Sequence, residues 1–250
     1  MARRATVVRK ERETSANVLL LDAGNTLVGD RVLAQQSKGK IVVEAMNLMG
    51  YDAMTLGEQD LQLGASELEA RMAEATFPFL SANVEAEGKV FAQPYVIKEM
   101  GGHQVAIVGL TGLEAGNLNG FQVRDPLQTA LDLLPQLQPV ADIIILLTHV
   151  GQAVEEQLQQ NVAGIDLIVG GATQGRTSAA VWDETRGVLI LPSEQASRGH
   201  TGRLLGMAAL SFDSNGRLVS HSSGMISLSP DFADDPDQVA LVQRYQRESK

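Results

Sequence analysis

The run "DIIILLTHVG", Asp142–Gly151, decides the fold. Ile143–Leu147 is an unbroken aliphatic stretch opened by an acid and closed by a glycine turn, the pattern of a strand that helices cover on its sheet's faces. It is much too short to cross a bilayer. At its end the chain sets down Thr148 and His149, so a strand that is otherwise all core delivers polar side chains at its C-terminal end.

Moving outward, the same pattern recurs in "NVLLLDAG" (Asn17–Gly24), "DAMTLG" (Asp52–Gly57), "FPFLSANV" (Phe77–Val84), "QVAIVGLT" (Gln104–Thr111) and "IDLIVGG" (Ile165–Gly171). Helical spacing fills the intervals. Ile41, Ala45, Leu48 and Met49 lie on one stripe ended by Gly50 as a C-cap, and further helices are expected at Ala65–Ala75, Pro126–Gln138 and Ala153–Val162. Buried strands alternating with helices give an α/β architecture. From Thr185 onward the pattern turns β-rich and is read as antiparallel, with "DSNGRL" (Asp213–Leu218) as a hairpin turn using Asn215 and Gly216 as a positive-φ pair. One helix closes the chain, with Asp237 as its N-cap.

The chain's 250 residues, 44% hydrophobic and 20% charged, suffice for a sizeable core and are read as one domain over residues 1–250. A net charge of −10 argues against a general nucleic-acid surface, which needs clustered Lys and Arg. Arg3, Arg4, Arg9, Lys10 and Arg12 are a local exception. Because Ala2, Ala5 and Val8 recur at helical spacing, these cations read as the wet face of an amphipathic helix. The absence of cysteine excludes disulfides, thiolate nucleophiles and zinc–thiolate sites. No charged-then-apolar leader is seen, and the compartment is not assigned.

"YDAMTLGEQDL" (Tyr51–Leu61) carries the chemical question: an apolar strand stops at Gly57 and then offers Glu58, Gln59 and Asp60. In order along the chain, "LLLDAGNTL", "MNLMGYDAMTLGEQDL", "FPFLSANV", "QVAIVGLT", "ADIIILLTHVG", "GIDLIVGGATQ" and "GRLLGMAALSFDSNGRL" resemble the catalytic domain of the bacterial 5′-nucleotidase family, which belongs to the calcineurin-like metallophosphoesterases. The likeness covers nearly the whole chain. It implies a four-layer α-β-β-α sandwich with a pair of divalent cations on loops at the strand C-termini, where one ion activates water and both stabilise the phosphoryl charge.

The resemblance also shows where this chain departs. The family's opening strand, ending in Asp-x-His, has no counterpart here, so a central strand of the sheet is expected to be missing and a protein partner or a second copy to cover its place. The family's bridging Asp falls on Asn25, a neutral amide that cannot bridge two cations. Its ligating Asn falls on Glu58 and its catalytic His on Gln59, which has no proton to exchange near neutral pH. Two further His ligands fall on Ala172 and Gln174, and His149 alone is retained. The family's second, nucleotide-binding domain is also expected to be absent.

Two functions follow from the resemblance. One is a catalytically inactive metallophosphoesterase-fold protein kept for binding or assembly, possessing no cofactor. The alternative is a hydrolase of phosphate esters with a remodelled site for one Mn, Zn or Mg ion, built from Glu58, His149, Asn25 and Gln174. Arg198, His200 and Arg203 in "SRGHTGRLLG" can attract an anion or form a solvated loop. Asp22 is read as a carboxylate that organises its loop, Asn83 as holding a loop, and His103 as a turn residue.

Overall fold

The computed structural model describes residues 1–29, 31–112, 118–171, 180–193 and 203–248. Its first half runs α1 (Ala2–Thr14), β1 (Leu21–Asp22), α2 (Val32–Gln36), α3 (Lys40–Met49), β2 (Ala53–Thr55), α4 (Glu58–Leu61), α5 (Ala65–Glu74) and β3 (Phe79–Leu80). Then come β4 (Val84–Ala86), β5 (Lys89–Val90), β6 (Tyr95–Met100), β7 (His103–Thr111), β8 (Phe121–Val123), α6 (Pro126–Leu137), β9 (Ile143–His149) and α7 (Gln152–Asn161). The chain finishes with β10 (Leu167–Gly170), β11 (Val181–Asp183), β12 (Val188–Pro192), β13 (Leu204–Phe212), β14 (Leu218–Ser227) and α8 (Pro236–Glu248).

Two sheets face each other. The larger has the order β11-β12-β10-β9-β7-β6, parallel through β12, β10, β9 and β7 and antiparallel at both edges. The smaller is parallel, β1-β2-β3. Because side chains alternate across a strand, Ile143, Ile145 and Leu147 point between the sheets, where they meet Ala23, Ala53 and Leu80. Ile144 and Leu146 point the other way, against Ala130, Leu134 and Leu137 of α6 and Leu158 of α7. On the far side, Ile41 and Met46 of α3, Leu68 of α5 and Leu241 of α8 pack on Leu20, Met54 and Leu56. The order is therefore helix, sheet, sheet, helix, the expected four layers. Among the described residues, no helix is long and apolar enough to cross a membrane.

Local chemistry explains most of the boundaries. α3 ends on Gly50 at φ 65°, where its N–H reaches the Asn47 carbonyl, and α6 starts on Asp125, whose carboxylate accepts the Gln128 N–H at 2.9 Å. Several expectations need correction. β12, expected to be antiparallel, pairs so only with β11; on its other side it lies parallel to β10, and its Val188, Leu189 and Ile190 are buried, so a wholly antiparallel part begins only at β13. At the hairpin tip only Gly216 takes positive φ, and the Asp213 carboxylate organises the turn by accepting the Asn215 and Arg217 N–H groups. The N-cap of α8 is Asp235, which accepts from both Asp237 and Gln238, and Asp237 lies inside the first turn. His103 opens β7, the turn being Gly101 and Gly102. On α1, Arg9, Lys10 and Arg12 are exposed, as expected of a wet face, while Arg3 and Arg4 are half-buried; the arginines also hold partners, Arg3 with Asp234, Arg9 with Asp235, Arg4 with the Tyr51 hydroxyl and Arg12 with the Met49 and Gly50 carbonyls.

Candidate functional site at the strand C-termini

β1 and β2 are neighbours in the small sheet and β9 belongs to the facing one; Asn25 and Glu58, from the loops after β1 and β2, meet His149, the last residue of β9, at one end of a large cleft. Glycine makes the meeting possible. A Cβ added to Gly57 would lie 2.6 Å from Asn25 Cγ and 2.7 Å from the Asn25 main-chain nitrogen; one added to Gly24, at φ 90°, would lie 2.9 Å from the Gly57 nitrogen.

Asn25 sits at the centre of the network, in the left-handed region at φ 59°. Its side-chain oxygen accepts the Gln59 main-chain N–H at 2.8 Å, which fixes the orientation of the amide. The NH₂ group therefore points at the other two candidates, 2.7 Å from Glu58 Oε1 and 2.8 Å from His149 Nε2. His149 is buried, donates from Nδ1 to the Ala23 carbonyl at 2.6 Å, and holds Nε2 3.1 Å from Glu58 Oε2. When the ring is neutral, Nε2 accepts from Asn25; when it is protonated, Nε2–H donates to Glu58. Burial opposes charge on both partners, but their mutual attraction and hydrogen bonding prevail, raising His149 above its ordinary value and holding Glu58 down to about 2, helped there by the Asn25 amide.

Beneath this triad lies Asp60, which the sequence presents after Glu58 and Gln59 but to which it assigns no role. Asp60 is fully buried and accepts the N–H groups of Asn25 at 2.7 Å, Leu27 at 3.0 Å and Gly57 at 3.0 Å, so it ties the loop after β1 to the loop after β2. Burial pushes its carboxyl up to about 6, against the pull of those donors. The available signal was its place three residues beyond Gly57, where an acid reaches back to the N-cap N–H of a short helix. Asp22 behaves as expected, accepting from Gly24 and Thr26. Asn83 does too, donating to the Thr111 and Arg124 carbonyls and accepting the Thr111 N–H, while Thr111 Oγ1 bonds the Leu56 carbonyl under the site.

Of the residues expected to form a site, Asn25, Glu58 and His149 converge, and Gln59 stands exposed on the cleft wall. Arg203 lines the same cleft, while Gln174, Arg198 and His200, like Ala172, lie outside the described residues. Among the described residues no three His, Asp or Glu side chains gather where a metal ion would sit. Among the described residues, the groups that converge here are one carboxylate, one imidazole and an amide that presents its NH₂ face. With its NH₂ turned toward both neighbours, Asn25 offers them no oxygen, so among the described residues Asn25, Glu58 and His149 by themselves do not fit a pair of divalent ions.

No protein-family profile matches the chain. It is 30% identical over 272 residues to the snake venom 5′-nucleotidase of Gloydius brevicauda, covering 98% of this chain and 45% of that protein. The figures for the human 5′-nucleotidase are 30% over 271 residues, with 98% and 46% covered. The chain thus spans about half the length of the curated relatives it matches. Among solved structures it resembles a 5′-nucleotidase precursor from Thermus thermophilus, with a TM-score of 0.85, 24% identity, and 99% of this chain and 53% of that chain covered. It also resembles the calcineurin-like phosphoesterase YfkN from Bacillus subtilis, with a TM-score of 0.76, 24% identity, and 99% and 88% covered.

Proposed function

The chain belongs to the 5′-nucleotidase family of calcineurin-like phosphoesterases, and we propose that it is a non-hydrolytic member whose role is binding or assembly. One observation carries this reading. Asn25 spends its carbonyl on the Gln59 N–H and turns its NH₂ toward Glu58 and His149, closing these side chains into a network that satisfies itself. Phosphoryl transfer on two metals needs anionic oxygens bridging the ions and a proton donor for the leaving group. At the corresponding places stand an amide facing the wrong way and Gln59, whose side chain does not titrate.

The test uses the purified chain dialysed against Mn²⁺, Zn²⁺ or Mg²⁺. Bound metal is measured by elemental analysis, and phosphate release is followed from a panel of nucleotides and from a chromogenic phosphodiester. The expected result is metal well below one equivalent and no turnover above the buffer rate. Stoichiometric metal with turnover abolished in His149→Ala would overturn the reading in favour of the remodelled one-metal hydrolase, for which the Glu58 and His149 pair is the nucleus.

A further inference from the structure

The dipeptide Asn-Gly occurs twice, at Asn119–Gly120 and at Asn215–Gly216, and the fold treats the two pairs in opposite ways. Asparagine is a thermolabile residue, most of all before glycine, which has no side chain to shield its nitrogen. That nitrogen can attack the asparagine Cγ. A C–N bond closes a five-membered succinimide, the Cγ–Nδ2 bond breaks, and ammonia leaves with the glycine amide proton. Water then opens the ring at either carbonyl, giving aspartate or isoaspartate, and is the one co-reactant needed.

At the second pair the hairpin tip blocks this attack. Gly216 is buried, its N–H donates to the Asp213 carbonyl at 3.0 Å, and a Cβ added there would lie 2.4 Å from the Asp142 carbonyl oxygen. The Asp213 carboxylate also accepts the N–H groups of Asn215 at 2.8 Å and Arg217 at 2.9 Å. Bringing the Gly216 nitrogen onto Asn215 Cγ means undoing the tip. The first pair has no such lock. Asn119 and Gly120 take φ 53° and 90°, and the Phe121 N–H closes on the Leu118 carbonyl at 3.1 Å, the pattern of a type I′ turn. Both central residues are exposed, and a Cβ added to Gly120 would meet nothing within 4 Å. The Gly120 N–H has no acceptor among the described residues. One exposed bond holds the reacting amide, from Asn119 Nδ2 to the Gln62 carbonyl at 2.8 Å.

We propose that Asn119 is a modification site at which the folded chain deamidates itself, giving aspartate and isoaspartate in this turn while Asn215 stays intact. Either product replaces an amide donor with a carboxylate. That carboxylate faces the Gln62 carbonyl just past α4, the helix that opens with Glu58, so two acceptors oppose each other where a hydrogen bond stood. Isoaspartate does more, because it adds a carbon to the main chain between Leu118 and Phe121. The turn then no longer matches the ladder of β8 on β4, in which Phe121 lies opposite Ala86 and Val123 opposite Val84. The conversion is a slow, one-way loosening of this small sheet. It goes beyond the role proposed above and does not depend on it.

The full chain is incubated at mildly alkaline pH, folded and in urea, and conversion at each pair is followed by peptide mass mapping, with isoaspartate recognised by fragmentation. Dividing the folded rate by the unfolded rate at each pair removes the influence of flanking residues. Each hydrogen bond that must break slows the step about fivefold. Asn119, held by one, should keep roughly a fifth of its unfolded rate, and Asn215, held with its turn by three, about a hundredth. The converted protein separates by its added negative charge, and its isoaspartate form should show faster amide exchange at residues 121–123. Asn119→Gln should remove the new species. Asn119 still intact when the unfolded chain has converted would overturn the proposal, as would equal normalised rates at the two pairs. Amide exchange at 121–123 as slow in the isoaspartate form as in the parent would overturn the loosening.

Discussion

Replacing Gly57 with Ala tests the closed network at its tightest point. The backbone there, φ −102° and ψ 171°, suits alanine, and a less flexible unfolded chain would favour the substitution by about 0.4–1 kcal/mol. Steric contact opposes it. The new methyl would sit 2.6 Å from Asn25 Cγ and 2.7 Å from the Asn25 nitrogen. The loop cannot retreat freely, because that nitrogen is held by Asp60 at 2.7 Å. If the side chain swings away, it gives up the Gln59 N–H and the Glu58 carboxylate. A neutral hydrogen bond is worth about 1 kcal/mol and one to a charged group about 1.5–3 kcal/mol, for a gross loss of roughly 3–4 kcal/mol. Set against the entropic gain, the net destabilisation is about 2–3 kcal/mol, or a Tm lower by ~5–10 °C. Urea titration should show a lower midpoint with unchanged m. In an Asn25→Gly background the penalty should shrink, since only the main-chain contact remains, giving a coupling of about 1 kcal/mol or more. A Gly57→Ala protein as stable as the parent, or more so, would refute the packing argument.

Asn83→Ala removes a fully buried amide that serves Thr111 and Arg124, and should cost about 3 kcal/mol in urea titration, through polar groups left unpaired. Asp235→Ala should cost about 1–2 kcal/mol and speed amide exchange in the first turn of α8, whereas Asp237→Ala should change stability by less than ~0.5 kcal/mol. Burial raises the Asp166 carboxyl to about 6, although it accepts the Ile144 N–H. The folded state then binds more protons than the unfolded one between the ordinary carboxyl range and pH 6, so this group's contribution to stability falls as pH rises through that window. Because Asp166 is only partly buried, the effect is about 1–2 kcal/mol after allowance for solvent screening. The stability difference between the parent and Asp166→Asn should drift by that amount from pH 4 to 7, and a flat difference would contradict the assignment.

The buried strands were legible because their pattern is local. A five-residue aliphatic run between an acid and a glycine turn specifies β9 whatever surrounds it, and the same holds for β7 and β10. Strands with weaker patterns were shortened or missed. "NVLLLDAG" forms a ladder only at Leu21–Asp22, where β2 lies alongside, and the half-buried edge strand β6 carries no clear alternation. Only half of β12's pairing was legible: its antiparallel partner β11 is a few residues away, whereas its parallel partner β10 lies some twenty residues earlier in the chain.

Side-chain types at the candidate site were likewise in plain view: the residue order by itself says that an amide stands at 25, an acid at 58 and an imidazole at 149. Which atom of that amide faces the other two could not be read along the chain. It is set by a contact between Asn25 and Gln59, 34 residues apart, and by one between Asn25 and His149, 124 residues apart. Asp60 became a buried anchor only because two loops close over it. Local pattern chooses strands and helices through the short-range periodicity of the backbone, whereas hydrogen-bond direction is decided where distant segments meet.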